Sequence, residues 1–155
     1  MLLQVSGWHL ECDPDATRSA YVPLPVGAEC SCDQCRNFTA AAGRTFPPEF
    51  TALADSLGID PTKPAELLHL CREPSGLYLT GGWFHFVGRI VSGADAHEHA
   101  DGTGVIQYQP LGPGIEVGFC RHVSLLPDTF SGLAVTQLEF QTRVPWVLAD
   151  VEPAS

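Results

Sequence analysis

GGWFHFVGRIV, residues 81–91, is the stretch on which the fold turns. From Trp83 onward its side chains alternate. Phe84 and Phe86 fall on one side; Trp83, His85 and Val87 fall on the other. A period of two marks a β-strand. Gly81 and Gly82 separate this run from LYLT, 77–80, and predict a bulge or bend between two strands.

Downstream, VIQYQPL, IEVGFCRHVSLL and LAVTQLEFQTRVPWVL read as further strands. They are divided by LGPG and PDTFSG, which carry the residues of turns. Upstream, LLQVSGWHLE, residues 2–11, suits an opening strand with Gly7 as a bulge. Asp13, Pro14 and Asp15 then turn the chain into a short Tyr-Val piece, which Pro23 and Pro25 confine to an edge or a loop. Helical signals occur twice in between. Ser31 and Gln34 fit a capping box that starts a helix at Cys32 and ends at Gly43, with Cys35, Phe38 and Ala42 as its inner stripe. A second helix opens at Pro47-Pro48, turns Phe50, Leu53 and Leu57 inward, and stops at Gly58. In DPTKPAELLHLCR a helical turn near Pro64 is expected to pass into a strand.

The sum is an α+β chain: a mostly antiparallel β-sandwich or open barrel of about seven strands, with two helices inserted after the first strands. Phe50, Leu53, Leu57, Phe84, Phe86, Leu138 and Phe140 are expected in one core. At 155 residues, without repeat or long linker, residues 1–155 read as one domain.

Eighteen acidic against eight basic residues leave a formal charge of -10. That balance repels phosphate backbones and anionic membrane surfaces, so neither nucleic acid nor membrane is an expected partner. No run approaches a membrane span. The opening MLLQVSGWHLECD lacks the basic flank of a signal peptide, which points to the cytosol and to cysteines that are reduced or metal-bound.

The chemical signal is GAECSCDQCRNF, residues 27–38, with three of six cysteines. In extended chain Cys30 and Cys32 point the same way, about 6.6 Å apart at Cα. Cys32 and Cys35 stand one helical turn apart on one face. Three sulfurs therefore converge above a helix N-terminus, where thiolates are favoured and zinc–sulfur bonds of about 2.3 Å fit. The fourth ligand must come from elsewhere, and His85, Cys71, His69 and His9 are available. His85 is preferred, because the flanking phenylalanines anchor its strand and aim the imidazole at the other face. Two other readings stand beside this one. The cysteines can be small buried hydrophobes, Cys35 above all. Cys32 and Cys35 can instead form a thiol redox pair, although Asp33 and Glu29 should raise the thiol pKa and no long apolar strand precedes them.

Elsewhere the chemistry is thin. His97-Glu98-His99, between Asp95 and Asp101, can chelate but sits in an Ala/Gly/Asp loop. Cys12, His9 and His122 are isolated, and Glu116 and Glu139 lack a second carboxylate at a catalytic spacing. No phosphate loop, dinucleotide fingerprint, nucleophile elbow or H-E-x-x-H is present.

CSCDQCRNF, GGWFHFVG and LEFQTRVPWVL, together with SLGIDPTKPAE at 56–66, resemble a family of small bacterial proteins of unknown function. The resemblance spans most of the chain and implies a bacterial cytosolic domain. It brings no activity, cofactor or catalytic residue with it. The resulting expectation is a non-enzymatic module for a protein or small-molecule ligand, anchored by a cysteine site holding zinc. The rival is an enzyme, either a thiol oxidoreductase or a metal-dependent one built on Cys32 and Cys35.

Overall fold

The longest strand, β4 (Tyr78–Ser92), runs without a break through Gly81 and Gly82. The two strands expected there are therefore one. The glycines serve packing rather than a bend: a Cβ on Gly82 would collide with the carbonyl oxygen of Glu66 and the Phe140 ring. The structure, a computed structural model, describes residues 1–97 and 106–153.

β4 organises everything else. Along one edge it pairs with β7 (Val135–Val144) from Tyr78↔Val144 to Val87↔Val135. Its other edge is shared. β3 (Glu66–Arg72) takes the first part, and β2 (Trp8–Cys12) takes the last. β1 (Leu2–Val5) extends β2, while β6 (Ile115–Cys120) and β5 (Gln109–Gly112) extend β7. Among the described residues the result is a seven-stranded open sheet, ordered β1-β2-β4-β7-β6-β5 with β3 also on β4, and every pairing is antiparallel. With its helices this is the expected α+β architecture.

Between β3 and β2 a stretch of the β4 edge has no strand partner, and a helix closes it. α1 (Pro14–Tyr21) occupies residues expected to be a turn and an extended piece, so the described residues hold three α-helices rather than two. Asp13 caps it by accepting the Ala16 N–H, and Pro14 fills the first helical position, where a missing N–H costs nothing. From α1 the Tyr21 hydroxyl both accepts the His85 N–H and donates to the His85 carbonyl. Thr17 Oγ1 accepts the Val87 N–H. Side chains thus replace the missing strand.

α2 (Asp33–Ala40) is capped by Cys32, one residue after the expected cap at Ser31. Ala41 is buried in place of the expected Ala42, which is exposed. α3 (Pro48–Leu57) ends at a left-handed Gly58 as expected. Residues 2–11 form a hairpin around Ser6-Gly7 instead of a bulged strand. Pro64 opens no helix; a turn at 61–62, where Asp60 accepts the Thr62 N–H, leads to β3. The segments 121–126 and 145–148, expected as strand, lie outside β6 and β7.

The helices lie against the face carrying Phe84, Phe86, Leu138 and Phe140. Phe46 stacks on Phe50 with centroids 4.2 Å apart and meets Phe140 edge-on. All seven residues expected in the core are buried in one cluster.

Candidate metal centre

Cys30, Cys32 and Cys35 come together at the N-terminus of α2, with all three sulfurs within 4.8 Å of one another. That is close enough to hold a metal ion. Backbone donors set the geometry. The Cys32 N–H points at Cys30 Sγ and the Cys35 N–H at Cys32 Sγ, both at 3.4 Å. Burial raises the Cys32 thiol, but the N–H groups of Cys35 and Gln34 and the neighbouring thiols outweigh it and hold Cys32 below the ordinary thiol range. The rise expected from Asp33 and Glu29 does not prevail: the net shift of Cys32 is downward. Cys35 is pushed up by burial and by its two neighbours, so Cys32 and Cys35 do not lose their protons alike.

A fourth donor stands against two of them. His69, on β3, places Nε2 3.3 Å from Cys35 Sγ and 3.8 Å from Cys32 Sγ. Burial holds its pKa down, which keeps the imidazole neutral, the form that binds metals. The site therefore joins α2 to β3. Asn37 braces α2 from behind: its side chain donates to the Pro145 carbonyl and accepts the Val147 N–H.

His85 lies elsewhere. It is buried beside Phe130, with Nε2 3.2 Å from Gln137 Oε1, and burial lowers its pKa to about 4. Its neighbours do anchor it as expected, but the face they aim it at holds Gln137 rather than the thiols. His9 is exposed on β2 and pairs with Ser92. Cys71 is exposed on β3, beyond a break in register after His69. Cys12 is buried against the Met1 carbonyl, and His122 meets Ser124. Glu116 pairs with Arg143. A cleft of about 450 Å³ opens next to Cys30, lined also by Tyr21, Lys63, Glu66, His85 and Asp128.

Glu139, unpaired in the sequence reading, meets His97 at 3.4 Å, with Cys120 alongside. The only hint of this was the alternation that puts Glu139 on the face of β7 opposite Leu138 and Phe140. Glu98, His99 and Asp101 of the histidine loop lie outside the described residues.

Among the described residues no helix is long and apolar enough to cross a membrane. Comparison with family models, curated proteins and solved structures finds no match for this chain.

Proposed function

We propose that Cys30, Cys32, Cys35 and His69 hold one structural zinc ion, and that the chain serves as a binding module rather than an enzyme. The contacts of His69 Nε2 with Cys35 Sγ at 3.3 Å and Cys32 Sγ at 3.8 Å carry this reading. Around a tetrahedral zinc, nitrogen and sulfur ligands stand roughly 3.5 Å apart. Three thiolates and one imidazole close the coordination sphere, the pattern of a structural site. The cleft beside Cys30 is the place for a ligand. Its Lys63, Glu66 and Asp128 side chains suit a polar small molecule or a protein segment, while the charge of -10 disfavours nucleic acid and anionic membranes.

The second reading is thiol oxidoreductase chemistry, favoured by the lowered pKa of Cys32 next to Cys35. One set of measurements separates the two. Protein purified without added metal should carry zinc by elemental analysis. Cys32→Ser and His69→Ala should lose it and melt roughly 5–10 °C lower, since binding energy is folding energy here. A strong chelator should reproduce that loss in the wild type and add little in the variants. His85→Gln should keep its metal. Metal-free protein whose melting is indifferent to chelator overturns the zinc reading. A Cys32–Cys35 disulfide formed under mild oxidation and reversed by dithiothreitol would then favour the redox one.

A further inference from the structure

A second set of ligand-type side chains lies on the sheet face opposite the phenylalanine core, on elements that contribute nothing to the cysteine cluster. Cys120 ends β6, Glu139 sits mid-way along β7, and His97 follows β4 in the covering segment. Their ligand atoms all lie within 4.8 Å of one another, and His97 Nε2 is 3.4 Å from a Glu139 oxygen. Cys120 and Glu139 are 0% and 2% exposed. His97 Nε2 is itself buried and makes no hydrogen bond.

The register of the sheet explains the convergence. Glu139 pairs with Gly118, and a Cβ on Gly118 would meet the Ala96 Cβ at 2.9 Å. The missing side chain lets the 95–97 segment lie directly on the sheet, which sets His97 over Glu139. Asp95, also buried, fastens that segment by accepting the N–H groups of His97 and Arg121. Gln137 donates to Glu139 Oε1 at 2.6 Å. Such outer hydrogen bonds orient metal ligands.

We propose that His97, Cys120 and Glu139 form a second metal site, for a divalent ion of the zinc type. One imidazole, one thiolate and one carboxylate bring two negative charges to a divalent cation, leaving the complex neutral inside the protein. His97 Nε2 makes no hydrogen bond and meets Glu139 at 3.4 Å, while the buried Glu139 has one donor in Gln137; an ion among the three ligands would satisfy both groups. The mixed nitrogen, sulfur and oxygen donors suit zinc, whereas magnesium and calcium select oxygen alone. Cys120 has no exposed surface, so a substrate cannot reach it as a free nucleophile. Three protein ligands leave a coordination position for water or a small ligand, unlike the closed Cys30/Cys32/Cys35/His69 set.

The test is metal stoichiometry in the full chain, read by elemental analysis and by cobalt substitution, whose thiolate absorption reports sulfur ligation. Wild type should bind two ions per chain. His97→Ala should bind one, and so should Cys120→Ala. Cys32→Ser should also drop to one, and its remaining cobalt should show weaker thiolate absorption. Circular dichroism of His97→Ala, altered at a partly exposed side chain, checks that the fold is kept. A single ion lost in His97→Ala but retained in Cys32→Ser supports this site and overturns the cysteine one. A single ion lost in Cys32→Ser and untouched by His97→Ala overturns this site alone. No ion in the wild type overturns both.

Discussion

At His85 the imidazole is wedged between Phe130 and Gln137, and burial holds its pKa near 4, with Gln137 and the Ser124 backbone offsetting part of that effect. In the unfolded chain the same ring titrates near 6.5. Below 6.5 the unfolded state takes up a proton that the folded state refuses, so stability falls as the pH drops from about 6.5 to about 4 and levels off beneath it. The shift corresponds to roughly 3 kcal/mol at most. Glu139, raised by burial, acts in the opposite sense, so the effect of His85 is best read by difference. His85→Gln should flatten that part of the pH–stability curve. Parallel curves for wild type and variant between pH 4 and 6.5 would show that His85 is not the group responsible.

At the scale of elements, α1 and the glycines of β4 decide how the sheet closes. Tyr21→Phe removes the hydroxyl that serves both backbone groups of His85, leaving two buried polar groups unpaired at about 1–3 kcal/mol each. Loss of stability of that order, with faster amide exchange at His85, is the expected result. Exchange at His85 unchanged in Tyr21→Phe would mean that α1 does not substitute for a strand. Gly82→Ala drives a methyl into the Glu66 carbonyl and the Phe140 ring, so β3 must separate from β4, costing roughly 2 kcal/mol or more. Gly7→Ala, where nothing lies within 4 Å, provides the control and should shift the urea midpoint little. Equal midpoints for the two alanine variants would contradict the close packing assigned to Gly82.

For the molecule as a whole, the net charge and the proposed metal set the expectations for behaviour in solution. At -10 the protein should not retain a random DNA duplex at about 150 mM salt. Sub-micromolar retention, in the range typical of specific DNA binders, would contradict this. The proposed zinc site would tie the N-terminus of α2 to β3, which among the described residues pairs with β4 alone. Chelation should accordingly speed amide exchange in β3 and α2 before it does so in β6 and β7. Uniform loss of protection across the sheet would show instead that the metal supports the fold globally.

Much of this was legible along the chain. Alternation at 83–87 and 138–140, helical spacing at Phe50, Leu53 and Leu57, and the stop at Gly58 are local signals, and each carried through to the structure. So did the clustering of Cys30, Cys32 and Cys35, because the first turn of α2 brings Cys35 back beside Cys32. α1 was missed although Asp13-Pro14 is a sound helix start, because Asp13, Pro14 and Asp15 equally suit a turn. The continuity of β4 through Gly81-Gly82 depended on how closely Phe140 and Glu66 approach, which no local pattern records. The placement of His69 rather than His85 beside the thiols depended on β3 lying along the early part of β4 while α1 covers the stretch at His85. His97 over Glu139 likewise waited on the missing side chain of Gly118. Local sequence determines which elements form and which face of each is apolar. Partners distant in sequence are chosen by register and close approach, and these exist only once the sheet is assembled.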